Sequence, residues 1–230
     1  GTTDFAFPTG AGGADVVTGG GGNDDIWLGT GNDQADAGSG NDRFVFQGQF
    51  DYGNDTINGG DGVDEIFFDA FGPLAVDLGE GTLRGGSVIA GAGTVSLTAI
   101  ENFAVIGGPS EILGSASANN LRGSDGGDDL LNGRAGNDTL TGGSGVDTFV
   151  FDQTAGAANG DLITDFQPGT DSLSLGAAAM TALGASGRFT AGDGRVPSPA
   201  GAAAGPGAAA PPRAGPETRE RLRAEQAAGL

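Results

Sequence analysis

An aspartate preceded by Gly-Asn recurs at residues 24, 33 and 42, nine residues apart each time. Set out as nonamers, the chain reads GAGGADVVT (10–18), GGGGNDDIW (19–27), LGTGNDQAD (28–36) and AGSGNDRFV (37–45). Position four is Gly13, Gly22, Gly31 and Gly40; position six is Asp15, Asp24, Asp33 and Asp42; position eight is Val17, Ile26, Ala35 and Phe44.

A second series reads GSASANNLR (114–122), GSDGGDDLL (123–131), GRAGNDTLT (133–141) and GGSGVDTFV (142–150). Here position four is Ser117, Gly126, Gly136 and Gly145, and position six is Asn119, Asp128, Asp138 and Asp147. Position eight is Leu121, Leu130, Leu140 and Phe149, with Asn132 as one extra residue in the clock.

Residue type gives the pattern its mechanics. Six Gly-rich residues form a turn that residues with a Cβ resist. Three residues then form a short strand whose middle side chain points inward. Two nonamers complete an eighteen-residue coil, and coils stack as parallel strands ~4.8 Å apart. Aspartates two nonamers apart then share one edge. Carboxylates held that close repel unless a cation lies between them. With turn carbonyls they form an all-oxygen cage that suits calcium. The expected pairs are Asp15 with Asp33, Asp24 with Asp42, and Asp128 with Asp147. Asn119 with Asp138 is one charge weaker.

Composition agrees. The chain has 48 Gly in 230 residues, 23 Asp against 7 Glu, and ten Arg with no Lys. Residues 1–180 carry 26 acids and 4 Arg, whereas residues 181–230 carry 4 acids and 6 Arg. The acidic part repels nucleic acid. Without His or Cys, zinc sites, imidazole bases, thiol nucleophiles and disulfides are excluded. No apolar run reaches the ~20 residues of a membrane span. Residue 1 is Gly, which we read as the start of a piece of a longer chain.

The nonamers GGGGNDDIW, GGDGVDEIF and GGSGVDTFV resemble the RTX (repeats-in-toxin) calcium-binding family. The resemblance spans roughly residues 10–175. It implies an all-β, calcium-binding parallel β-roll with several Ca2+ ions, secreted to the extracellular space by a type I secretion system. It implies a monomer with no nucleic acid partner. Similar repeats accompany secreted hydrolases and epimerases. An alternative reading is a calcium-stiffened structural or adhesive spacer module.

A longer period lies above the nonamer. Phe44-Val45-Phe46 matches Phe149-Val150-Phe151, and Asp55-Thr56-Ile57 matches Asp161-Leu162-Ile163. Two tandem modules are expected, 10–70 and 105–176, after a lead-in at 1–9 and joined by an irregular β spacer at 71–104. The Phe-rich segments would plug open ends of the core. Asp55 and Asp161 would complete the last sites. A competing count reads FDYGNDTIN (50–58) and GGDGVDEIF (59–67) as true repeats, making Asp55 and Asp64 half-sites. Backbone oxygens at Gly22, Gly31, Gly40, Gly126, Gly136 and Gly145 are candidate co-ligands.

Residues 177–230 form a low-complexity tail, disordered or partly helical, with a short helix expected from Pro216. The family's export signal lies at the C-terminus, and this Arg- and Pro-rich end departs from it. No EF-hand or phosphate-loop spacing occurs. Adjacent pairs such as Asp24–Asp25 belong to the repeat rather than to a catalytic dyad, and no enzyme is expected.

Overall fold

The computed structural model describes residues 5–6, 11–48, 51–87, 93–154, 156–176 and 222–224. These form 21 strands, numbered in chain order, and no helix. The nonamer produces this result directly: its turn half keeps reversing the chain, and its strand half is too short for anything but stacking on the next coil.

The first sheet runs β1 (Phe5–Ala6), β4 (Asp25–Ile26), β7 (Arg43–Gln47), β9 (Glu65–Ala70), β13 (Asn102–Gly107), β15 (Asn120–Arg122), β17 (Thr139–Thr141), β19 (Asp161–Ile163) and β21 (Leu222–Ala224). The second runs β3 (Val16–Gly21), β6 (Gln34–Ser39), β8 (Thr56–Asp61), β12 (Thr94–Thr98), β11 (Thr82–Gly85), β10 (Leu74–Asp77), β14 (Ser110–Leu113), β16 (Leu130–Asn132), β18 (Thr148–Phe151) and β20 (Ser172–Leu175). A small pair, β2 (Ala11–Gly13) with β5 (Thr30–Gly31), lies apart from both. Pairing is parallel except around β11, which is antiparallel to β10 and β12, and at β21, antiparallel to β19. The fold is a parallel β-solenoid whose two sheets enclose a narrow core.

That core is built of stacked columns. In the first sheet Ile26, Phe44, Ile66, Phe103, Leu121, Leu140 and Ile163 stand in register, one per coil. In the second, Val76, Ile112, Leu131 and Phe149 do the same. All of these side chains are buried. Each full burial of such a side chain contributes roughly 1.5–3 kcal/mol, so the repeat's eighth position holds the coils together.

Two expectations change here. Leu131, not Leu130, enters the core column, so the extra residue lies inside the turn 123–129 rather than at Asn132. Asn132 instead ends β16, its Nδ2 donating to Asp152 Oδ2 at 3.1 Å. Second, the Phe-rich segment of the first block plugs no open end. β12 and β13 continue the second and first sheets beyond it, and the hairpin β10–β11 wedges two extra strands into the second sheet. Phe46 stacks on Phe68 with centroids 5.6 Å apart, and Tyr52 meets both edge-on. They fill a coil lengthened to 22 residues.

Of the expected C-terminal helix, only Leu222–Ala224 falls among the described residues, and it runs as a strand beside β19. An unpaired edge at β19 offers hydrogen bonds to any extended segment. The rest of residues 177–230, like most of the lead-in at 1–9, lies outside the described residues.

Candidate cation ladders in the turns

Glycine geometry comes first, because it brings turn oxygens together. At position four, Gly22, Gly31, Gly40, Gly136 and Gly145 have φ of +121°, +134°, +140°, +128° and +146°. Only glycine adopts that backbone without strain. A Cβ on Gly40 would also overlap the carbonyl oxygen of Gly22, and one on Gly62 that of Gly40. Coils therefore approach backbone to backbone. Gly126 is exposed and outside this series; Gly127 takes the slot, with its carbonyl against Gly145.

Position six then forms two ladders along the roll. On turns leading into the first sheet, the Asp24 N–H donates to Asp42 Oδ1 (2.8 Å), Asp42 N–H to Asp64 Oδ1 (2.8 Å), and Asp64 N–H to Glu101 Oε2 (2.9 Å). Asn119 Nδ2 donates to the Glu101 carbonyl (2.7 Å), Asn119 N–H to Asp138 Oδ1 (2.8 Å), and Asp138 N–H to Asp161 Oδ1 (3.0 Å). On the opposite turns, Asp15 N–H donates to Asp33 Oδ1 and Asp33 N–H to Asp55 Oδ1, both 2.9 Å. Past the hairpin, Ser110 N–H donates to Asp129 Oδ1 (2.7 Å), Asp129 N–H to Asp147 Oδ1 (3.0 Å), and Asp147 N–H to Asp171 Oδ1 (3.2 Å).

The ladders thus unite Asp15, Asp24, Asp33, Asp42, Asp55, Asp64, Asn119, Asp138, Asp147 and Asp161. Asp55 and Asp64 stand in them as repeat members. Asp128 does not: it is exposed, and its Oδ1 accepts the Val146 N–H (2.9 Å). That is the outer slot filled elsewhere by Asn23, whose Oδ1 accepts the Asn41 N–H, and by Asn32, which receives Asn54. Asp129 is the buried carboxylate. The doublet Asp128-Asp129 aligns either way by sequence. The Asn-before-Asp habit of the other turns was the signal that favours Asp129. Glu101 and Asp171 are further ladder members that the clock missed. Each lies two residues before a residue in register with a core column, Phe103 or Leu173.

One oxygen of each aspartate beyond the first coil is used by the coil below. The second oxygen of Asp129 accepts the Ser124 N–H and that of Asp171 the Gln167 N–H, but in most rungs it is left over. The Oδ2 atoms of Asp15, Asp33, Asp42, Asp55, Asp64, Asp138 and Asp147 are buried with no hydrogen-bond partner. A buried acceptor left that way costs ~1–3 kcal/mol, more when charged. In four turns a first-position glycine keeps the space beside Oδ2 open, Gly19 at Asp24, Gly59 at Asp64, Gly133 at Asp138 and Gly142 at Asp147, whereas Leu28 and Ala37 hold that position before Asp33 and Asp42. A Cβ on Gly59 would meet both Asp64 Oδ2 and the Ala99 carbonyl oxygen. One on Gly19 would stand 2.6 Å from Asp24 Oδ2, against the Ala37 carbonyl.

Burial shifts these acids upward. It pushes Asp55 up to about 7 and Asp64 and Asp147 up to about 6, against a partial pull downward from the amides they accept; neighbouring carboxylates add to the rise. Burial likewise raises Asp33, Asp42, Asp129, Asp138 and Asp161. At neutral pH the ladders favour whatever neutralises them.

The donor set tests which group fits. It holds carboxylate and carbonyl oxygen only. Among the described residues no three acidic, His or Cys side chains gather as a cluster, so carbonyls must supply most ligands. Partnerless buried oxygens beside open cradles fit a hard cation of flexible coordination, calcium above all.

Comparison with known families agrees with this geometry. Residues 9–44, 51–71 and 124–153 match the RTX calcium-binding nonapeptide repeat, in four copies. No curated protein matches the chain.

Proposed function

We propose that this chain, which carries RTX calcium-binding nonapeptide repeats on a parallel β-solenoid, is a secreted module whose folding is coupled to extracellular calcium. The observation that carries this reading is the row of buried, partnerless Oδ2 atoms. The ligands are the ladder residues Asp15, Asp24, Asp33, Asp42, Asp55, Asp64, Asp138, Asp147 and Asp161, with turn carbonyls such as those of Gly22, Gly31 and Gly40.

Bound calcium supplies the positive charge these oxygens lack. The residues do the rest. Each aspartate beyond the first coil spends Oδ1 on the amide of the preceding coil, which fixes its carboxylate across the turn. Each position-one glycine leaves the space beside Oδ2 open. Each position-four glycine lets the neighbouring carbonyl approach. Where calcium is scarce, charged ladders resist stacking and the chain stays expanded and exportable. Where calcium is abundant, binding energy becomes folding energy. Secretion of this kind suits a type I system and a calcium-triggered monomer at one end of a larger exported protein.

Equilibrium dialysis against calcium, on the whole chain and on the Asp42→Ala, Asp64→Ala double variant, tests the reading. The variant is expected to bind fewer ions. Equal binding by both chains removes the ladder aspartates as ligands.

A further inference from the structure

Not every rung is left open. Asn119 Oδ1 accepts the Ser115 N–H (2.7 Å) and lies 3.2 Å from Ser115 Oγ. Its Nδ2 donates to the Glu101 carbonyl. A neutral donor thus reaches the neighbouring coil where other rungs offer only acceptors. Asp129 Oδ2 accepts the Ser124 N–H (2.8 Å), with Ser124 Oγ at 3.2 Å. The same hydroxyl accepts the Gly127 N–H (3.0 Å), and Ser124 is fully buried.

The cause lies at position two. Before Asp42, Asp64 and Asp147, whose Oδ2 atoms are partnerless, this residue is Gly38, Gly60 and Gly143, with φ near +100°, and before Asp33 it is Gly29 with φ of +86°. Ser115 and Ser124 are absent from the positive-φ residues. Their amides consequently turn toward the sixth side chain, and their hydroxyls reinforce it.

An adjacent guanidinium extends the pattern. Arg134 occupies position two of the next turn with φ of +66°, held by its N–H to Asn132 Oδ1 (2.9 Å). Its Nη1 donates to Asp77 Oδ1 (2.7 Å) and to the Gly114 carbonyl (3.0 Å), and Nη2 donates to Asp77 Oδ2 (2.6 Å). Gly114 O is a position-one carbonyl. In other turns that carbonyl, Ala37 O for example, faces the cradle beside an aspartate. Here a cation built into the chain takes it, and ties the hairpin β10–β11 to the second repeat block.

We propose that turns 114–119 and 123–129 are closed by the chain's own donors, Ser115 and Ser124, and take no calcium, so the middle of the roll forms without the ion and templates the coils on either side. Propagation from a formed coil is the natural mode for a solenoid, in which each coil contacts only its neighbours. The proposal rests on the calcium reading of the remaining turns.

Hydrogen exchange of the whole chain, read by mass spectrometry in chelator and in saturating calcium, tests it. Residues 110–132 are expected to be protected in chelator and little changed by calcium. Residues 16–66 are expected to slow by roughly tenfold or more only when calcium is added. Equal calcium dependence in both segments overturns the proposal while leaving calcium binding intact. Absence of a calcium response in every segment overturns the calcium reading itself, and this proposal with it. A Ser124→Gly chain adds a second check. Its residues 120–132 should join the calcium-dependent set, and unchanged protection there in chelator counts against the serine closure.

Discussion

Replacing Asp64 by Asn should stabilise the roll without calcium, and that gain should be largely cancelled with calcium. Asp64 is fully buried, and its Oδ1 accepts the Asp42 N–H, a bond that Asn retains. Its Oδ2 has no partner and shares a cradle with the Ala99 carbonyl. An amide nitrogen there can donate to that carbonyl, as Asn119 Nδ2 donates to the Glu101 carbonyl. Burial, then the charges of Asp42 and Glu101, raise Asp64 to about 6 from 3.8. Ionising it in the folded state at pH 7 therefore costs about 3 kcal/mol relative to the unfolded chain. The Asn variant removes that penalty. With calcium roughly a hundredfold above its dissociation constant, one lost site forfeits about 2–3 kcal/mol. Urea unfolding followed by circular dichroism, in chelator and in millimolar calcium, reads both effects. An equal gain in both conditions, or no gain in chelator, refutes the reasoning.

Acid should substitute in part for calcium. Asp55, Asp64 and Asp147 have raised folded-state values, so their contribution is full below about 4 and lost as pH rises through about 6 to 7; in chelator, β signal should grow as pH falls across that window, and calcium affinity should weaken. Gly40→Ala should lower stability by more than the ~1–2 kcal/mol of a left-handed alanine, because its Cβ also overlaps the Gly22 carbonyl; Gly156→Ala, with nothing within 4 Å, should stay within about 0.5 kcal/mol in the same urea titration. Arg134→Ala should cost roughly 1–3 kcal/mol at pH 7. Burial alone would raise Asp77, but hydrogen bonds from Arg134 and the Glu80 amide, with the Arg134 charge, bring it below the ordinary value. Its contribution is therefore present above the unfolded value near 3.9 and disappears as pH falls through the lower folded one. Unfolding curves at neutral and strongly acidic pH should show the Arg134 difference shrinking.

The clock carried most of the fold because one period sets coil length, turn chemistry and the inward position together. Gly31 and Gly40 announce the close turn, since their φ favours glycine, and Phe44 and Leu140 announce the core, since that position takes apolar side chains. Where two neighbours are chemically alike, the pattern loses its register. Asp128-Asp129 and Leu130-Leu131 fit equally well with the extra residue placed inside the turn or after the strand. Stacking against Phe149 and Asp147 selects Leu131 and Asp129. Glu101 was hidden for a different reason. It reaches its rung with a longer side chain and closes a 37-residue step from Asp64, far outside any nine-residue count. The antiparallel hairpin β10–β11 was equally silent, because a turn such as Gly79-Glu80-Gly81 reads alike whether a strand returns beside its neighbour or crosses to the other sheet. Serine at position two looked like ordinary degeneracy of glycine. Its meaning depends on φ, which the letters do not show.

Far-UV circular dichroism of the chain, titrated with calcium and then with magnesium from a chelated start, tests the central claim most directly. A cooperative gain of β signal with calcium, and little with the smaller and more tightly hydrated magnesium ion, is the expected result. A full β spectrum already present in chelator, unmoved by either ion, would contradict it.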